Sequence, residues 1–265
     1  MPEGDTVWRA AQRLDTTLTG GVLTRSDFRV PQHATNDLTG ALVLGTISRG
    51  KHLLTRFSPT RGPAVTLHTH LKMEGAWHVH APGDRWRRPA HEARVVLATE
   101  RWEAVGFALG VVDLLRTGDE DQAVGHLGPD LLGPEWDEQE ALRRLSANPE
   151  RTIGEALLDQ RNLAGIGSVY RSELCFVFGV HPWTPVAEVR DLSRVVRRAK
   201  QMLEFNKERT ERITTGTIRG GRLWVYGRRG PCPRCGTGVR HDELGPKGQE
   251  RIAYWCPSCQ PARGS

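Results

Sequence analysis

The sequence predicts an α+β chain of several domains: an N-terminal helix with a β-sandwich, a helical domain built around a helix–two-turn–helix, and a small C-terminal ribbon held by four cysteines. Three observations carry this reading. Short strand-like runs punctuated by Gly and Pro fill the first 116 residues. Helical periodicity takes over beyond residue 136. Cys232-x2-Cys235 is followed, after twenty residues, by Cys256-x2-Cys259. The boundaries read as a sandwich over 1–116, a linker over 117–136, the helical domain over 137–230 and the ribbon over 231–265. At 265 residues the chain is long enough for two domains that each bury a core.

Taken in order, the first element is a helix. Asp5 is placed to cap it, and Val7, Ala10, Ala11, Leu14 and Leu18 follow helical spacing until Gly20-Gly21. Pro2, just ahead of it, has its own chemistry. Inside a chain proline carries no N–H, but removal of Met1 before so small a residue leaves Pro2 as a secondary amine. Such an amine attacks carbonyl-level carbon to form an iminium, and because amino termini titrate near ~8 a sizeable fraction is unprotonated at neutral pH. The plain alternative is a processed terminus without a chemical role.

Strand-like runs follow at Val22–Val30, Ala41–Ser48, His52–Phe57, Ala64–His70, Ala76–His80 and Arg94–Ala98, with a less regular stretch to Leu115. Arg49-Gly50-Lys51 lies between two of them, which holds Lys51 on a tight turn. His68-Thr69-His70-Leu71-Lys72-Met73-Glu74-Gly75 reads as a strand end and a turn presenting Met73, although His68 and His70 are also a pair that a metal could share. Residues 117–136 are rich in Gly, Pro and Asp without periodicity, hence the linker.

Helical runs then cover Asp137–Ser146, Thr152–Gln160, a segment restarting at Ser168 after Gly165-Ile166-Gly167, and Leu192 to about Thr210. A helix that begins at glycines exposes N–H groups suited to phosphate, while a plain helical hairpin is the simpler reading. Arg219, Arg222, Arg228 and Arg229 surround Leu223-Trp224-Val225-Tyr226 and lead into the ribbon. The paired Cys-x2-Cys turns have the spacing of a four-thiolate site for one structural Zn2+. Cys175, within an apolar run, reads as core.

Composition narrows the function classes. Net charge is +6 and the pI near 9.4, the sign that attracts phosphate polymers or anionic surfaces. Of 37 basic residues 32 are arginine, which binds phosphate bidentately and stays charged. No run of ~18 apolar residues is present, and Asp5, Arg9 and Arg13 interrupt any export signal. The expectation is a soluble, cytoplasmic, monomeric protein with no membrane partner and no nucleotide cofactor.

Together these pieces resemble the Fpg/Nei family of bifunctional DNA glycosylases over essentially the whole chain. The resemblance rests on Pro2-Glu3, Arg49-Gly50-Lys51, His70-Leu71-Lys72-Met73, the helix–two-turn–helix from Leu157 to Glu173, and the ribbon from Cys232 to Gln260. It implies base-excision repair of damaged DNA: Pro2 attacks C1′ of a flipped nucleotide, Glu3 transfers protons at the sugar, and the 3′ and 5′ phosphates leave by β,δ-elimination. Lys51 is implied to hold a phosphate or act on the ring. His70, Met73, Gly167, Ser168 and Arg251 are implied to contact DNA, with Met73 filling the space of the extruded base.

The chain departs from the family pattern in three places. Ser168 stands where relatives carry Asn, Asp5-Thr6 where many carry Pro-Glu, and the apolar stretch Val105–Leu115 where Fpg enzymes have the void-filling loop Asp-Pro-Arg-Arg-Phe-Gly. The last departure favours the Nei (endonuclease VIII) branch and oxidised pyrimidines over 8-oxoguanine. A DNA-binding paralogue of the same fold with weak catalysis is the alternative.

Overall fold

The computed structural model describes residues 2–217 and 222–262. Met1, whose removal the Pro2 chemistry requires, and Arg219 lie outside the described residues. The chain forms two compact units, Met1–His126 and Leu127–Ser265.

In the first unit α1 spans Gly4–Leu18, with Glu3 rather than Asp5 at its N-cap position. Asp5 instead sits in the first turn, where the positive end of the helix favours a carboxylate, and accepts the Thr6 amide at 2.8 Å. Val7, Ala11, Leu14 and Leu18 form the buried stripe of α1. Each buried leucine contributes about 2 kcal/mol through burial alone.

Behind that stripe lie two four-stranded antiparallel sheets. One contains β1 (Arg25–Phe28), β6 (Ala93–Ala98), β7 (Glu103–Phe107) and β5 (Ala76–His80), in that order. The other contains β2 (Leu42–Arg49), β3 (His52–Ser58), β4 (Val65–His70) and β8 (Val111–Arg116). Both sheets and α1 share one core, with Leu14, Leu53, Phe57, Leu67, Val95 and Ala104 among its members. The first strand is shorter than the run Val22–Val30 suggests, because Val22 pairs with Leu42 in an isolated bridge before β1 begins.

Residues 117–126, expected as the start of a linker, belong to this first unit. They include the short helix α2 (Asp121–Val124). Glu120 fastens them to the sheet, accepting from Arg56 Nε and Nη2 at 2.7 and 2.6 Å and from Thr66 Oγ1 at 2.6 Å. A forked guanidinium–carboxylate pair of this kind is among the stronger polar contacts.

The second unit contains α3 (Glu138–Ser146), α4 (Ile153–Leu158), α5 (Ser168–Val177) and α6 (Leu192–Asn206). Asp137, Thr152 and Asp191 cap three of these through their side chains, which is why their starts were legible in the sequence. Gln160 closes the connector between α4 and α5: its side chain donates to Leu158 O and Ile166 O and accepts from Gly165 N. Gly165 itself takes φ +115°, a region closed to most side chains. The ribbon hairpin is β9 (Arg240–Leu244) with β10 (Arg251–Trp255), and Cys232 and Cys256 pack with Phe176 and Val225.

Candidate active site

The way α1 lies on β2 directs the start of the helix and the Lys51 turn the same way. Gly20 N donates to Val43 O, and Thr46 N donates to Asp15 Oδ1 at 2.9 Å, so the helix runs antiparallel to the strand. From Asp15 the helix climbs about 18 Å back to Glu3. From Thr46 the strand climbs about 17 Å to Lys51. Both segments therefore run toward the same end of the sandwich. Pro2 is half-buried there and Glu3 fully buried at 0% exposure.

Lys51 occupies the second position of a two-residue turn joining β2 to β3, with Arg49 paired to His52. Gly50 takes φ +58° at the first position, as a hairpin turn of this length demands. The β3–β4 register sets His52 opposite His70, so the Lys51 turn and the turn carrying Met73 emerge at the same end of the sheet. Met73 is 63% exposed, more than any other large apolar side chain among the described residues.

Histidines cluster behind these turns. His52 Nδ1 and His68 Nε2 share a hydrogen bond of 2.8 Å, and His52 meets the rings of His70 and His126 edge-on at 4.9 and 6.2 Å. His68 Nδ1 faces Asp113 Oδ2 at 3.5 Å. Burial, then repulsion from His70, His68, His126 and Lys72, pushes His52 down to about 3. Burial, then Lys72, Lys51 and His68, pushes His70 down to about 4. Both are therefore neutral at physiological pH. His70 Nδ1 accepts from the Lys72 amide at 2.9 Å, which shapes the Met73 turn. Sequence reading marked His68 and His70 but missed His52, His126 and Asp113, which only the register assembles. Among the described residues the four cysteines are the one group of three or more such side chains placed to hold a metal ion.

This cluster makes stability depend on pH in a defined window. The folded chain binds fewer protons than the unfolded chain between the lowered values and the ordinary imidazole value near ~6.5. Stability is thus full above that value and falls as pH drops through it toward 4 and 3. Thermal unfolding should show the midpoint declining between about pH 6.5 and 5, above the range where carboxylates titrate. His52→Gln should flatten that slope, and an unchanged slope would remove the cluster as its source.

In the second unit Gly167 is the N-cap of α5 and Ser168 its first residue, 5% exposed. Ser168 O accepts from Ser172 Oγ at 2.9 Å, and Ser172 Oγ in turn accepts the Tyr254 amide at 3.3 Å. Arg171 Nη2 donates to Ile252 O at 2.5 Å. The start of β10, and with it exposed Arg251, is thus tied to the first turn of α5. Buried Glu173 accepts the amides of Trp224, Val225 and Tyr226 at 2.7, 2.9 and 2.9 Å and the hydroxyl of Thr214. A lone glutamate in a helix gave no sequence sign of this role.

The thiolates of Cys232, Cys235, Cys256 and Cys259 lie within 4.8 Å of one another, and the pairs Cys232–Cys259 and Cys235–Cys256 approach to 3.9 and 3.4 Å. Tetrahedral Zn–S bonds of about 2.3 Å require sulfurs about 3.8 Å apart. The four residues therefore fit one such ion.

An α1-capped sandwich, a helix–two-turn–helix and a four-thiolate ribbon in one chain define a DNA-repair fold class, and comparisons name it. Residues 1–119 match the formamidopyrimidine-DNA glycosylase N-terminal domain and 127–216 its H2TH domain. The chain is 58% identical to "Probable endonuclease 8 2" of Streptomyces coelicolor, over 98% of this chain and 94% of that protein. It is 49% identical to the DNA-(apurinic or apyrimidinic site) lyase Nei2 of Mycolicibacterium smegmatis, over 99% and 100%. The fold matches that of Lactococcus lactis Fpg in complex with abasic-site DNA, with TM-score 0.78, 20% identity and coverage of 98% and 100%. The chain belongs to the Fpg/Nei family.

Proposed function

We propose that this DNA glycosylase and AP lyase of base excision repair works through a Schiff base on Pro2 and prefers oxidised pyrimidines. The antiparallel lie of α1 on β2 carries the first part, because it brings an amine at Pro2, a buried carboxylate at Glu3 and a cation at Lys51 to one end of the sandwich. The Pro2 nitrogen adds to C1′ as the bond to the damaged base breaks and loses its proton, the C1′–O4′ bond then opens to leave the iminium, and Glu3 handles the protons at the sugar. The iminium acidifies C2′, so the 3′ phosphate and then the 5′ phosphate leave by β,δ-elimination. Lys51 holds a phosphate or acts on the ring, and the neutral His70 shapes the turn that presents Met73 into the vacated space. Gly167, Ser168 and Arg251 contact the backbone of damaged DNA from the second unit. One structural Zn2+ on Cys232, Cys235, Cys256 and Cys259 stabilises the ribbon that carries Arg251.

The pyrimidine preference rests on the connection between β7 and β8, only Ala108-Leu109-Gly110. Leu109 is buried and Ala108 takes φ +45°, so this tight link has no long loop to insert beside Met73; the segment from Thr214 to Leu223, expected to be short for a loop that covers a purine, lies partly outside the described residues. Single-turnover excision from matched oligonucleotides should be faster for thymine glycol and 5-hydroxyuracil than for 8-oxoguanine opposite cytosine. If 8-oxoguanine is removed fastest, the preference fails while the chemistry at Pro2 stands.

A further inference from the structure

The turn that presents Met73 is held in an uncommon shape. Lys72 takes φ +52°, in the left-handed region that non-glycine residues seldom adopt. Gly75 N closes the turn by donating to Leu71 O at 2.9 Å, and its first half is held by Lys72 N to His70 Nδ1 at 2.9 Å and Gly110 N to His70 O at 3.0 Å. Gly110 is so close that an added Cβ would lie 2.1 Å from Lys72 Cγ. Beside Met73 a further support reaches in from outside the turn. Arg88 Nη1, from the loop joining β5 to β6, donates to Glu74 O at 2.8 Å.

Arg88 is itself fixed. Its Nε donates to Glu92 Oε2 at 2.7 Å, its Nη2 donates to the same oxygen, and its guanidinium lies 5.7 Å from the centre of the Phe107 ring. The strand β7 that carries Phe107 thereby braces, through one side chain, the backbone next to Met73.

We infer that Arg88 is a positioning residue that locks the Met73 turn for insertion into duplex DNA, and so governs duplex over single-stranded substrate. The inference rests on the reading of Met73 as the void-filling side chain. Filling a void in a base stack loads the turn, and a turn released on one side yields to that load. A single strand has no opposing stack, so the lock is not called upon there.

The test is single-turnover excision of one lesion from duplex and from single strand, with 2-aminopurine opposite the lesion reporting insertion. Arg88→Ala should slow duplex excision about tenfold, the worth of one charge-assisted hydrogen bond, and lower the 2-aminopurine signal. Single-strand excision should stay within about twofold, and Arg88→Lys, which keeps the charge but not the fork that joins Glu92 to Glu74 O, should recover only part of the loss. Equal effects on both substrates, or none on the duplex, overturn the inference. Met73→Ala separates the two readings: if it leaves the duplex-to-single-strand ratio unchanged, the reading of Met73 fails, and if it shifts the ratio while Arg88→Ala does not, only the role of Arg88 fails. Should Arg88→Ala not fold, Glu92→Gln loosens the same brace and must shift the ratio in the same direction for the inference to stand.

Discussion

Protein that retains Met1 should give no borohydride-trapped complex with an abasic-site oligonucleotide, while the processed protein gives one efficiently. The reason is covalent. With Met1 attached, the Pro2 nitrogen is a tertiary amide without lone-pair basicity or N–H, and it cannot add to C1′. Once exposed it is a secondary amine whose condensation product is necessarily an iminium, the species that borohydride reduces. Pro2→Gly leaves a primary amine in place, so trapping should weaken rather than vanish. The two variants together locate the nucleophile. Lys51 and Lys72 are alternative amines at this end of the sandwich, and undiminished trapping with Met1 attached would transfer the role to a lysine.

Much of this site was legible in the sequence because its parts are local. The Arg49-Gly50-Lys51 turn is fixed by two strand-like runs and a glycine that must adopt φ +58°, and the caps at Asp137 and Thr152 announce α3 and α4. The four cysteines are spaced as their ligand geometry requires. The cap of α1 was misread because Asp5 has a capping side chain, yet the helix starts two residues earlier than that cap would place it, behind the Glu3 backbone.

What stayed hidden depends on register or on contacts far apart in sequence. His52 and His68 are separated by 16 positions and meet only because β3 pairs with β4. Residues 117–126 read as a linker by composition, but the Arg56–Glu120 pair, 64 positions apart, holds them on the sandwich. Arg88, which reaches Glu74 from the far side of a loop, had no pattern at all.

Glu3→Gln should lower base excision by about two to four orders of magnitude, the usual worth of a positioned general acid–base group, while DNA affinity changes little. The substitution isolates proton transfer because it keeps the side chain's size at a site with 0% exposure. Glu3 occupies the N-cap position of α1, and its backbone carbonyl accepts from Thr6 N and Val7 N, contacts that the amide leaves intact. A thermal midpoint close to that of the unaltered protein would confirm that folding is preserved. The effect should also depend on substrate. Excising an intact base requires proton transfer as the glycosidic bond breaks, whereas an open-chain abasic aldehyde already presents the carbon that Pro2 attacks. Glu3→Gln should therefore remain trappable on abasic DNA after it has lost excision of a damaged base. Full excision by the variant would remove Glu3 from the mechanism, and loss of trapping equal to the loss of excision would place its role in forming the iminium rather than in releasing the base.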